Sequence, residues 1–551
     1  MSARGVTRST TLAAAACVAA IGIAGAQSPR PYRSNFDIKD YAITIDLPDT
    51  GSTVAITDVI TVARTAPADT LVLDLLDLHV SRVTVEDRPV TFVQTPSEVH
   101  IPLPHPERRG MFHVAVSYGG AVTDGLIVRT DSAGRWTYFG DNWPNRARHW
   151  IASIDHPSDK ATVTWRVLAP ASETVVANGK LLGTKTVRDA DGRDRTEWTW
   201  RESQPIPVYV MVIAAAPLVR YDLGDTDCGL AALQRCVPQY VYTAPEQKSF
   251  APGPFARAGE IVQLFSSLVG PFPYEKLAHL QSSTRFGGME NASNIFYSDN
   301  AFRRGTMNDG LIAHETAHQW FGDAVTERDW PHLWLSEGFA TYFAALWQRA
   351  ARGDSAFRVE MSRMRRTVLA DTIAVTKRPV IDTLETNLLA LLNRNSYEKG
   401  GFVLHMLKAQ VGEAAFFDAL RHYYAAHRNA TAVTDDLQHE MERASGERLD
   451  WFFNQWLRRP GYPEVTATWS FDSASHEVLV DVSQSDRFGR YRFPLTIAVI
   501  DSTGAAHRAT VQMSDTSSAP MQVRISLAAA PASVVLDPDV ELLARCTVTR
   551  R

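Results

Sequence analysis

His314-Glu315-Thr316-Ala317-His318, followed after eighteen residues by Glu337 inside Trp334-Leu335-Ser336-Glu337-Gly338-Phe339-Ala340, decides most of what this chain can be. On a helix, positions i and i+4 share a face, so His314 and His318 can offer imidazole nitrogens to one metal ion while Glu315 points off that axis toward an attacking water. A second helix, expected over about Leu335 to Arg349, brings Glu337 as the third ligand. Zinc sites that do chemistry take three protein ligands and leave a fourth position open, and His, His, Glu is such a set. The neighbours Leu311, Ile312, Ala313, Ala317, Trp320 and Phe321 suit a buried helix, where two histidines and a glutamate are costly unless something satisfies them. One zinc ion per chain satisfies all three.

The rest of the chain is compatible with a large soluble enzyme. At 551 residues it should form roughly three or four domains. With 45% hydrophobic and 21% charged residues it has material for real cores. The net charge of -5 comes without a long basic run or an aromatic-basic stripe, which argues against a nucleic-acid partner.

Residues 1–26 read as an export signal. Arg4 and Arg8 form a basic start, Leu12 to Ile23 an apolar run, and Ala24-Gly25-Ala26 a small-x-small cleavage site before Gln27. A periplasmic or extracellular mature protein is expected, without a membrane span, since no later stretch approaches the roughly 18 apolar residues that one needs. Cys228, Cys236 and Cys546 then remain, and in an oxidising compartment a local Cys228–Cys236 bridge is plausible.

Texture along the chain divides it into an N-terminal β domain (27–219), a catalytic domain (220–460) and a C-terminal β-sandwich (461–551). The first alternates, as in Tyr41, Ile43, Ile45, Leu47 and Val163, Trp165, Val167. The second is mostly helical, with long segments at Gly401 to His427 and Asp435 to Leu457. The third returns to short alternating runs such as Val478-Leu479-Val480-Asp481-Val482.

Upstream of the metal motif stands Gly287-Gly288-Met289-Glu290-Asn291, and downstream Ser396-Tyr397-Glu398-Lys399-Gly400. With these two motifs and the eighteen-residue gap, the chain resembles the zinc aminopeptidases of the aminopeptidase N type, a family that also contains the leukotriene epoxide hydrolase. Phe272-Pro273-Tyr274 and Trp456-Leu457-Arg458-Arg459-Pro460-Gly461-Tyr462-Pro463 add to the resemblance, which covers roughly residues 245–463. It implies a multidomain α+β protein: a saddle-like N-terminal β-sandwich, a thermolysin-like, mostly helical catalytic domain and a small C-terminal β-sandwich. It also implies that Gly287, Gly288, Met289, Glu290 and Asn291 bind substrate and that Tyr397 stabilises the transition state.

Each implied role suits its residue type. An exopeptidase has to count from a free end, and Glu290 supplies a fixed negative charge for the substrate ammonium. Gly287 and Gly288 let an extended peptide approach the backbone closely. Glu315 serves as general base and then returns the proton to the leaving amine. Tyr397 donates to charge that appears only in the transition state.

The chain departs from the family pattern in two places. The usual Gln or Glu that makes a second amine contact is missing from Phe139-Gly140-Asp141-Asn142-Trp143-Pro144, where Asp141 or Asn142 is the candidate replacement. No large helical domain follows the C-terminal β-region, which implies a more open cleft. The leading expectation is an exported zinc aminopeptidase acting on peptides with a free N-terminus. A thermolysin-like endopeptidase, a metal-free peptide-binding relative and an epoxide hydrolase are the alternatives; Glu290 argues against the first, and the intact His314, Glu315, His318 and Glu337 against the second.

Overall fold

The computed structural model describes residues 32–189, 191–247, 249 and 252–551, so the export segment with Arg4, Arg8 and the Ala24–Ala26 site lies outside the described residues. Alternation builds the N-terminal region. Tyr41, Ile43 and Ile45 of the strand Phe36–Asp46 are fully buried while Asp40, Ala42 and Thr44 face outward, so one side of the strand makes core. Among the described residues that strand lies in an eight-stranded mixed sheet, antiparallel to Thr53–Arg64 and parallel to Lys160–Pro170. Thr174–Ala177, Ile213–Ala216, Trp136–Gly140 and Leu126–Thr130 form a four-stranded sheet, and its strand Trp136–Gly140 leads directly into Asp141.

Residues 219–298 are where expectation and structure differ. Besides the helix Ala258–Leu268, this stretch contributes a five-stranded sheet in the order Val219–Thr226, Val237–Thr243, Leu277–Ser282, Asn294–Ser298, Gly288–Met289. Its inner strands pair in parallel and are buried almost throughout, so apolar and polar residues do not alternate and the period-2 signal is lost. Gly288–Met289 is the edge strand, paired antiparallel with Asn294–Ser298 through Gly288↔Tyr297 and Met289↔Phe296. Its outer side is open to an added extended strand.

The helical part follows. Asn308 caps the helix Asp309–His318 by accepting from the Leu311 amide. The second metal-motif helix runs from Trp334 to Arg352, longer at its C-terminal end than expected. It buries Phe339, Tyr342, Phe343, Leu346 and Trp347, each contributing about 2 kcal/mol, which offsets the cost of holding Glu337 away from water. The long helical segments expected at 401–427 and 435–457 are each broken, at Gly412 and Gly446, which adopt φ of +84° and +73°. Two sheets, of four and three strands, form the C-terminal β-region. It is tied to the helices by Arg365 on Asp537 at 2.6 Å and by Gln455 on the Arg492 carbonyl at 2.8 Å.

Cys228, Cys236 and Cys546 are free thiols, and the suggested Cys228–Cys236 bridge is not formed. The ladder ends at Thr226↔Val237, so both cysteines lie outside it, in the turn that joins the two strands. No helix of the described residues is long and apolar enough to cross a membrane.

Candidate metal centre and active site

Three donor atoms converge where the two motif helices pack. His314 Nε2 and His318 Nε2 are 3.3 Å apart, and Glu337 Oε2 lies 3.3 Å from the first and 3.4 Å from the second. A tetrahedral ion with ligand bonds of about 2.0–2.1 Å separates its ligand atoms by roughly 3.3–3.4 Å, so the triangle already has the size that zinc requires. Glu337 Oε2 is buried without a hydrogen-bond partner, an acceptor waiting for a cation. The residues present therefore fit the metal.

Charge in the cluster supports that conclusion. Burial works against a His318 cation, yet the adjoining Glu337 carboxylate, with Glu290 and Glu315 behind it, outweighs burial and pushes its pKa up to about 10. Burial would also raise Glu337, but His318 and His314 hold it far below the usual carboxylate range. Metal-free, the site needs a proton on His318 to balance Glu337, and a divalent cation replaces that proton. The remaining ring nitrogen of His318 is held by Ser336 Oγ at 3.0 Å and faces the Phe321 carbonyl at 3.2 Å, which leaves Nε2 to the metal.

Glu315 leaves the ligand face of its helix and packs against the edge strand. A methyl group at Gly288 would overlap the Glu315 carboxylate, so this glycine exists to let the base approach. Burial raises the Glu315 carboxyl well above the ordinary range, against the pull of His318. Gly288→Ala is expected to displace the base by about 1 Å and lower kcat about a hundredfold, with zinc content unchanged. Steady-state kinetics beside metal analysis checks this, and an unaltered kcat would contradict it.

Glu290 follows directly after the edge strand and is 7% exposed. One ligand-type atom from each of Glu290, Glu315 and His318 lies within 4.8 Å of the others. Burial pushes the Glu290 pKa up to about 7, with Glu337 and Asp141 adding to the rise and His318 opposing it. Gly287 faces open space, Met289 is buried in the sheet, and Asn291 is fully buried with its amide unpartnered. The N-terminal candidates separate cleanly. Asn142 is consumed structurally, donating to the Met211 carbonyl at 2.7 Å and accepting from Trp150 at 2.8 Å. Asp141 is fully buried and ion-paired with Arg146 at 3.0 Å, close enough to Glu290 for its charge to be felt there.

Tyr397 sits in a π-helical turn, Asn395–Lys399, that precedes the helix Gly400–Val411. Such turns frequently mark functional sites. Its hydroxyl donates to Glu337 Oε1 at 2.7 Å, and its ring is nearly parallel to that of His314 with centroids 6.1 Å apart. Gly338 and Gly400 bring it there: a Cβ on Gly338 would lie 2.9 Å from the Gly400 carbonyl carbon, so the two helices touch backbone to backbone. Ser336 and Gly338 escaped sequence reasoning, although both flank Glu337, because their partners come from elsewhere in the chain.

Two motif helices joined at a ligand triangle, with a base packed against an open sheet edge, define a metallopeptidase. Residues 258–456 match the peptidase family M1 domain and residues 37–210 the peptidase M1 N-terminal domain. The chain belongs to peptidase family M1. It is 27% identical to the glutamyl aminopeptidase of Bos taurus over 345 residues, covering 59% of this chain and 34% of that protein. It is 25% identical to the tricorn protease-interacting factor F2 of Thermoplasma acidophilum over 455 residues, covering 77% and 54%. The matches thus span between a third and about half of these relatives' length. Among solved structures, a mutant M1 zinc metallopeptidase of Deinococcus radiodurans bound to a Tyr-Ser-Ala substrate matches with a TM-score of 0.68 and 26% identity, over 78% of this chain and 96% of that one. Aminopeptidase A of Legionella pneumophila shares the fold, with a TM-score of 0.78 at 18% identity over 93% and 60%.

Proposed function

We propose that this chain is a zinc-dependent aminopeptidase that removes residues from peptides with a free N-terminus, with one zinc ion held by His314, His318 and Glu337. The observation that carries the proposal is the closeness of Glu290 to Glu315 and His318, within 4.8 Å. The amine nitrogen and carbonyl carbon of one residue are about 2.5 Å apart by standard backbone geometry. With the ammonium on Glu290, the carbonyl that reaches the base and the metal ligands is therefore that of the first residue. An internal peptide bond has no ammonium and would set a neutral backbone against a buried acid. The Tyr-Ser-Ala substrate of the Deinococcus radiodurans relative is in keeping with this reading.

Held by His314, His318 and Glu337, zinc would supply Lewis-acid polarisation of the scissile carbonyl and would acidify an attacking water. Glu315 takes the proton of that water and returns it to the departing amine. The edge strand at Gly288 pairs with the extended substrate, and Gly287 leaves space beside it. The Tyr397 hydroxyl, resting on Glu337, turns to the oxyanion as charge develops. Tyr397→Phe is expected to lower kcat about a hundredfold with KM nearly unchanged, since the donor acts in the transition state. A KM rise at constant kcat would assign Tyr397 to ground-state binding.

Mass spectrometry of an unblocked ten-residue peptide tests the function: products one residue shorter at a time from the N-terminus are expected, and internal cuts would contradict it. Export to the periplasm or medium is part of the proposal, supported by the Arg4, Arg8 and Ala24–Ala26 pattern. N-terminal sequencing of the exported protein should begin at Gln27.

A further inference from the structure

The loop that presents Glu290 is gripped from two sides. On one side the N-terminal region holds it: Asn178 donates to the Ala292 carbonyl at 2.7 Å, and the Gly179 amide donates to Ser293 Oγ at 2.7 Å. Lys276 adds a bond to the Ser293 carbonyl at 3.1 Å. Ser293 itself is in the left-handed region, with φ of +61°, a conformation that persists only when its surroundings enforce it.

On the other side stands one residue, Gln319, next to His318. Its Nε2 donates to the Glu290 carbonyl at 2.9 Å and to Asp323 Oδ2 at 2.9 Å, while its Oε1 accepts from the Ser293 amide at 2.7 Å. Gln319 is fully buried. The Glu290 carbonyl can only accept and the Ser293 amide can only donate, so these two backbone groups fix which end of the side-chain amide faces which. Asp323 is anchored in turn, because Lys160 donates to its main-chain carbonyl at 2.8 Å.

We propose that Gln319 is a positioning residue for the amine anchor: bonded at both ends of the Glu290–Ser293 turn, it sets the distance between the Glu290 carboxylate and the metal ligands. This rests on the aminopeptidase reading, in which Glu290 holds the substrate ammonium. The amide suits the task because it donates twice and accepts once from a single planar group. Methionine has nearly the same length and supplies none of those bonds. Glutamate keeps the shape but sets an acceptor against the Glu290 carbonyl and a second carboxyl beside Asp323.

The zinc-loaded full chain is assayed with alanyl and leucyl 4-nitroanilides and with their N-acetyl forms, in wild type, Gln319→Met and Gln319→Glu. Both variants are expected to raise KM for the free-amine substrates about tenfold or more, the fold-change of a partly lost charged hydrogen bond, with kcat within about threefold. Zinc content should stay at one per chain. A fall in kcat or in the active fraction with KM unchanged would show a packing role and overturn the proposal. Should neither variant fold, Asp323→Asn, whose amide can turn its own N–H groups toward Gln319 Nε2 and break that bond, is expected to raise KM about threefold; a wild-type KM there overturns it equally. If the wild type cleaves N-acetyl anilides as readily as free ones, the aminopeptidase reading fails first, whatever Gln319 does.

Discussion

Glu315→Gln is expected to lower kcat by roughly 10³-fold while the chain keeps its zinc and its fold, because the amide has the carboxylate's shape but cannot take a proton. The site isolates this effect well. Glu315 is not one of the three closest donor atoms, so the His314, His318 and Glu337 triangle stays intact without its charge. The glutamine would still fill the space against Gly288. Substrate should therefore bind the variant with nearly unchanged affinity, and the loss should appear in turnover alone. Stopped-flow or steady-state rates beside metal analysis decide the matter. Retention of more than about a tenth of wild-type kcat would remove Glu315 from the base role.

His318→Ala should abolish both zinc retention and cleavage. Two donors, His314 and Glu337, then remain, and losing a group that merely orients a ligand costs roughly 10- to 100-fold in metal affinity, so loss of a ligand must cost more. Charge balance predicts a further consequence. In the metal-free protein the His318 cation compensates the Glu337 carboxylate, so its removal leaves a buried anion without the cation that balances it. The variant is accordingly expected to be less stable than metal-free wild type by several kcal/mol. Dialysis followed by metal analysis, and melting with and without added zinc, measure both effects. Full zinc occupancy in the variant would contradict the ligand assignment.

The metal site could be read from the sequence because its residues follow helical spacing and sit among apolar neighbours: His314 and His318 share a face, and Glu337 starts the next apolar helix. The inner strands Leu277–Ser282 and Asn294–Ser298 could not, since parallel strands buried on both faces leave no alternation to detect. Helix breaks at Gly412 and Gly446 were written as glycines but overshadowed by the Leu, Phe and Met recurrences around them. Asp141 and Asn142 looked interchangeable in sequence, yet their partners separate them, Arg146 for one and Trp150 with Met211 for the other. Gln319 and Ser336 act through residues that only folding brings close, the first through Glu290 and Ser293, the second through His318. Neither carries a local signal.

The most direct test is chromophore release from a panel of aminoacyl anilides, with and without a chelator, beside the same panel with blocked amino groups. Chelator-sensitive release from the free-amine substrates alone, restored by one zinc per chain, is expected. Release that ignores the amino block would remove Glu290 from the substrate ammonium and rule out an aminopeptidase.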